Sequence, residues 1–211
     1  MLFCLTVCRV CDRLSIVNRF SILLYNQEEE KNMKTRDMAL CALFAALLAV
    51  CAWLTIPLGD VPFTLQTFGV FAALGLLGGK RGTIAIAVYL LLGAIGAPVF
   101  SGFRGGFGVL LGTTGGYLVS YLLIGLLVML FEKLFGDGTA VFLLAGILGM
   151  VVCYAFGTAW FVVAYAKSAG PISWGAALGK CVIPFILPDA AKLALAVLLR
   201  ARLKRHLPAA A

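Results

Sequence analysis

After residue 33 the chain is a succession of long apolar runs, at about 38–56, 66–79, 83–97, 114–131, 140–166 and 184–200. The stretches between them hold most of the charges and prolines. The runs are continuous rather than alternating, which argues for helices and against the strands of a membrane barrel. A helix needs roughly 17–25 apolar residues to cross a bilayer. The second and third runs are short and rich in Gly, so their ends are the least defined. There is no internal repeat and no low-complexity linker. The pattern predicts an all-α membrane protein: six transmembrane helices in one domain over 33–211, with outer loops between them.

Composition agrees with that pattern. Of 211 residues, 63% are hydrophobic and 12% charged, against about 25% charged in soluble domains. Seven cysteines are present, but Cys41, Cys51, Cys153 and Cys181 sit singly in apolar runs, as small hydrophobes do. Cys4, Cys8 and Cys11 have no His or Cys cluster to complete a metal site.

Charge then sets an orientation. Lys34, Arg36, Lys80, Arg81, Lys133, Arg200, Arg202, Lys204 and Arg205 fall on one side of a six-span chain, and only Arg104, Lys167 and Lys180 on the other. Positive charge favours the cytoplasm, so both termini are expected there, in a multi-pass protein of the cell membrane. The same asymmetry explains the net charge of +8 and the pI near 9.3, and leaves no need for a nucleic-acid partner.

Residues 1–32 differ from the rest. They hold four basic and four acidic residues and lack the order of a secretory signal. Met33-Lys34-Thr35-Arg36, just ahead of the first run, has the form of a cytoplasmic start. The extension is expected either to precede the true initiator, Met33, or to form an interfacial amphipathic helix around Leu14–Leu24.

The segment 184–199, PFILPDAAKLALAVLL, places Asp189 and Lys192 in apolar surroundings. Positions three apart share a helix face. Each charge costs about 2.5–3.5 kcal/mol near the middle of a span, so the pair must face protein or water. It either binds something or fixes packing as a salt bridge. Pro184 and Pro188 suit the outer end of this span, because proline is tolerated in a first turn. Asp189 then lies about 7.5 Å into the helix, in the outer third of the bilayer.

Two loops share that outer side. Gly96–Leu118, GAPVFSGFRGGFGVLLGTTGGYL, is dense in glycine, which permits close backbone approach to a ligand and an anion cradle of N–H groups. Ser101, Arg104, Gly105 and Gly106 are its candidate ligand residues; close helix packing explains Gly115 and Gly116 equally well. In Pro57–Gln66, Thr64 and Gln66 offer neutral hydrogen bonds. Tyr117, Tyr154 and Trp160 either stack on a ring or anchor their spans.

Several chemistries are excluded. Gly75–Gly82, GLLGGKRG, has the wrong spacing for a phosphate-binding loop and no Ser or Thr after Lys80. The sole histidine, His206, lies in the basic tail, and no zinc-binding HExxH occurs. Asp189 is the one acidic residue deep in a run, which argues against a two-aspartate protease. The sequence offers no catalytic or metal site and calls for no cofactor; it does not read as an enzyme.

VPFTLQTFGV, YLLLGAIGAPVFSGFRGGFGVLLGTTGGYL and PDAAKLALA resemble the BioY family, the biotin-specific substrate-capture (S) subunits of energy-coupling-factor (ECF) transporters. The resemblance covers about residues 34–200. One departure is Gly112-Thr113-Thr114-Gly115, where the family commonly has Gly-Pro-Thr-Gly; it loosens the entry to the fourth span and removes no charged group. The resemblance implies a six-helix domain that binds biotin near its outer face. It also implies two kinds of partner, a transmembrane coupling subunit and two ATPases. Asp189 and Lys192 would lie in the pocket. Asp189 would accept ureido N–H bonds, while Lys192 would either donate to the ureido carbonyl or hold Asp189 charged. Arg104 and loop N–H groups are candidates for the biotin carboxylate. Capture of another vitamin, riboflavin or thiamine, and a non-transport assembly role are the alternatives.

The first span carries Ala42 and Ala46, and Ala45 and Ala49, as small-xxx-small pairs. In related capture subunits such a face docks on the coupling subunit; otherwise it serves internal packing.

Overall fold

The computed structural model describes residues 34–56 and 61–203. The expectations for residues 1–32, for Met33 and for the charges of Lys204 and Arg205 lie outside the described residues. Contacts divide the chain between Leu40 and Cys41, and the packing below is that of the unit from Cys41 onward.

Helix α1, Lys34–Trp53, leads into an antiparallel ladder of β1 (Thr55–Ile56) and β2 (Phe63–Thr64), with Thr55 opposite Thr64 and Ile56 opposite Phe63. Helix α2 follows at Gln66–Ala94. A 3-10 turn at Ser101–Phe103 and a short α3 at Phe107–Leu111 fill the glycine-rich loop. Then come α4, Gly115–Phe135, α5, Thr139–Ser168, α6, Trp174–Cys181, and α7, Ile183–Leu203. Two features depart from the apolar pattern. The ladder takes the end of the first run and part of the loop Pro57–Gln66, where no strand was expected. It is too short to leave a run of its own. Helix α6 lies in what reads as a loop, and its one local signal is Ser173, whose Oγ accepts from the Ala176 N–H at 3.3 Å and caps the helix.

Five helical runs among the described residues are long and apolar enough to span a membrane. The second of them contains two of the six predicted segments. At Gly78 the backbone turns to φ +80°, ψ 167°, a region that essentially only glycine occupies. Beyond it the chain folds back. Gln66 hydrogen-bonds Tyr89, 23 residues on, which a straight helix would hold about 34 Å away. Gly82 lies against Leu74 so closely that an added Cβ would sit 2.8 Å from the Leu74 Cα. The legs 66–77 and 79–94 are thus two antiparallel spans, and the six-helix expectation holds.

A break in the helix leaves backbone groups at the turn for other residues to satisfy. Here charged side chains from other helices do so. Glu132 Oε2 accepts from the Gly79 N–H at 2.6 Å, and Arg200 Nη1 donates to the Gly75 carbonyl at 3.2 Å. Arg200 also pairs with Glu132 and Asp137 and lies 4.7 Å from the Phe142 ring centroid. It is fully buried. Arg200 therefore does not belong with the surface charges that orient the chain; it ties the end of α7 to the turn of α2.

Around this axis Leu48, Val70, Phe71, Leu74, Ile86, Ile124, Val128 and Leu193 form the core. Glycines admit the neighbouring helices: Gly125 meets Thr83, Gly149 meets Ile124 and Gly146 meets Leu193, the close approach by which membrane helices gain contact without a hydrophobic drive. Leu126, Leu130, Leu144, Val151, Leu195 and Leu198 stay exposed. So much exposed apolar surface suits lipid as the solvent.

Candidate functional site

Helix α7 buries one stripe: Phe185, Asp189, Lys192, Leu193, Ala196 and Arg200. Helical periodicity turns all six the same way. The upper part of the stripe faces the first leg of α2 and helix α5, and there its two charges meet a polar network. Asp189 Oδ1 accepts from Lys192 Nζ at 2.9 Å and from Thr67 Oγ1 at 2.9 Å. Asp189 Oδ2 accepts from the Tyr154 hydroxyl at 2.8 Å. Lys192 Nζ further donates to the Thr64 carbonyl at 2.6 Å and to Thr67 Oγ1 at 3.1 Å, and lies 4.1 Å from the Phe63 ring centroid.

The donor count decides what each charge has left. An ammonium has three N–H bonds, and those of Lys192 go to Thr64, Thr67 and Asp189. A carboxylate has about four acceptor positions, and three are used, two of them on Oδ1. The remaining capacity lies at Asp189 Oδ2. With Asp189 5% and Lys192 7% exposed, such pairing is what makes burial of two charges tolerable.

The network forms one wall of a cavity closed by the ladder segment, the glycine-rich loop and helices α2, α4, α5 and α7. It encloses about 690 Å³ of empty space, open solvent at its mouth included. Asp189, Lys192, Thr64, Ser101, Tyr117 and Tyr154 all line it, so the chain brings together six of the nine ligand-site residues expected from sequence.

Arg104, Gly105 and Gly106 are not among its lining residues. Arg104 is exposed and donates from Nε to the Ser101 carbonyl at 3.2 Å. Gly105 lies so close to the Ala97 carbonyl that an added Cβ would come within 2.2 Å of its oxygen. The Gly106 N–H donates to the Gly93 carbonyl at 2.7 Å. These glycines serve the close folding of the loop on the end of α2, and that N–H is already spent. Trp160 also lies outside the lining; its Nε1 donates to the Gly112 carbonyl at 3.0 Å and fastens the loop to α5.

Other lining residues were not singled out in the sequence. Tyr121 follows Tyr117 by four residues and Phe185 precedes Asp189 by four, so helical spacing could have found both. Phe100, 1% exposed, closes the loop side. Thr67 gave no signal, being one hydroxyl in an apolar run. The two alanine pairs separate: Ala45 and Ala49 are buried in the core, whereas Ala42 and Ala46 are exposed.

Fold and cavity define a class: a multi-helix membrane protein with a small-molecule site and, among the described residues, no cluster able to hold a metal. Residues 26–209 match the BioY family, and the chain belongs to it. It is 42% identical over 171 residues to a protein named Biotin transporter BioY from Thermotoga maritima, covering 81% of this chain and 96% of that one. A probable biotin transporter BioY from Pyrococcus horikoshii is 38% identical over 172 residues, covering 82% and 98%. Among solved structures, the S-component for biotin from an ECF-type ABC transporter matches with a TM-score of 0.72 at 30% identity, covering 82% of this chain and 93% of that chain.

Proposed function

We propose that this chain is the biotin-capturing membrane subunit of an uptake system driven by a coupling subunit and two ATPases. The observation that carries the reading is the buried Asp189 carboxylate, oriented by Thr67, Lys192 and Tyr154 at the wall of a small-molecule cavity. A ureido ring offers N–H donors, and Asp189 Oδ2 keeps acceptor capacity for one. Lys192 acts by holding Asp189 charged and in place, since its own donors are engaged within the protein. Tyr117, Tyr121 and Phe185 supply apolar surface for the rings. The cavity opens to the outside, and both termini lie in the cytoplasm. The exposed Ala42 and Ala46 on α1 meet the coupling subunit, whereas Ala45 and Ala49 pack internally. No group here performs chemistry on the ligand; the energy comes from the partners.

The test is binding by the purified, detergent-solubilised chain. Biotin should bind and raise the unfolding temperature, since a ligand at 100 times its dissociation constant stabilises by about 2.7 kcal/mol. Stabilisation by riboflavin or thiamine instead of biotin would assign another vitamin, and stabilisation by none would remove the capture role.

A further inference from the structure

Gln66, the first residue of α2, lines the cavity although it is only 4% exposed. Hydrogen-bond logic fixes which way its amide points. The Tyr89 hydroxyl donates to the Val99 carbonyl at 3.0 Å. A phenol carries one proton, so toward Gln66 this hydroxyl can only accept. The atom that meets it is therefore the amide nitrogen, Nε2, as found. Tyr89 cannot swing away, being fully buried with its ring edge-on to Phe100 at 5.6 Å between centroids. The carbonyl Oε1 is left as the free end of the amide, with no hydrogen-bond partner among the described residues. It is not one of the fully enclosed unpartnered atoms among the described residues, so it keeps access to the cavity that its residue lines.

The next residue, Thr67, orients Asp189. The first turn of α2 thus governs two acceptors at one cavity: Asp189 Oδ2, charged, and Gln66 Oε1, neutral. A cyclic urea carries two N–H donors. We propose that Gln66 Oε1 accepts the second ureido N–H while Asp189 accepts the first, and that Tyr89 is a positioning residue which locks the amide in that polarity from behind. This rests on the biotin reading above and goes beyond it, because it makes the site selective for a ligand with two N–H donors over one with a single donor.

The experiment is a titration of the solubilised full-length chain with biotin, N1′-methylbiotin and N3′-methylbiotin, on wild type, Gln66→Leu, Tyr89→Phe and the double variant. Gln66→Leu should weaken biotin about tenfold or more, the cost of leaving a ligand donor without its acceptor. The same variant should lose less than about twofold for one of the two methylated ligands, the one whose N–H at Gln66 is already gone. Tyr89→Phe should weaken biotin by a smaller factor and add nothing in the Gln66→Leu background. A purely structural Tyr89 would instead weaken binding in both backgrounds.

Folded Gln66→Leu protein that binds biotin within twofold of wild type overturns this assignment and leaves the biotin reading standing. So does wild-type protein that holds both methylated ligands as tightly as biotin, a result that depends on no variant folding. Wild-type protein that binds no biotin overturns both.

Discussion

Thr67 and Asp189 lie 122 residues apart in the chain and share a hydrogen bond of 2.9 Å. The same Thr67 hydroxyl accepts from Lys192 at 3.1 Å, so one neutral side chain of α2 seats both charges of α7. A hydroxyl has one proton and two lone pairs, and both functions are used. The consequence is rigidity: the carboxylate arrives at the cavity already oriented, which lowers the ordering cost of binding.

Thr67→Val keeps the shape and removes the hydroxyl. It should lower the unfolding free energy by about 1–3 kcal/mol, because Asp189 loses a donor and Lys192 an acceptor in a buried place. Thr67→Ser should recover most of the loss. Thermal unfolding of both variants without ligand checks this; equal melting of the Val and wild-type proteins would refute it.

Asp189→Asn should weaken biotin binding by roughly 10–150-fold, the range for a hydrogen bond to a charged group. The amide also presents a donor where Tyr154 or Lys192 needs an acceptor. Lys192→Met should weaken binding as well, since it strips a buried carboxylate of its counter-charge. Isothermal titration on folded protein decides, and unchanged affinity in Asp189→Asn would remove Asp189 from the site.

Arg200 makes a separate prediction at the far end of the same helix stripe. Arg200→Met removes the charge facing Glu132 and the donor to the Gly75 carbonyl, and should destabilise by about 3–5 kcal/mol. Adding Glu132→Gln should restore part of this, because Gln keeps an acceptor for the Gly79 N–H and carries no charge. The quantity to compare is the unfolding midpoint of single and double variants. A double variant no more stable than Arg200→Met would mean that the charge pair is not what holds the turn.

If the proposed docking face is right, substitutions at the alanines of α1 should separate capture from assembly. Ala42→Leu with Ala46→Leu enlarges an exposed face and should leave biotin binding intact while co-purification with the coupling subunit falls. Ala45→Leu or Ala49→Leu overpacks the core instead and should cost about 1–3 kcal/mol of stability. A pull-down and a binding titration on the same preparations distinguish them. Loss of biotin binding in the Ala42 and Ala46 variant would place that face in internal packing.

The sequence by itself determined the spanning helices and the charged pair. Lipid obliges each spanning segment to satisfy its own backbone, so the spans are written locally as apolar runs. Asp189 and Lys192 share a face because three residues make nearly one helical turn, which is again a local property.

What only the tertiary structure decided depends on contacts between distant positions. Lys80 and Arg81 mark the break between the second and third runs, but that the chain turns at Gly78 follows only from the fold, in which Gly82 lies against Leu74. Arg200 reads as one more basic residue of a cytoplasmic tail, and only the meeting of α7 with α2 and α4 makes it a buried tie. Arg104 sits in the most glycine-rich loop, yet the loop's own hydrogen bonds turn it away from the cavity lining. The polarity of Gln66 follows from a phenol 23 residues away and a carbonyl beyond it. Helices are specified by neighbours along the chain, whereas donors and acceptors find their partners only when packing has brought separate helices together.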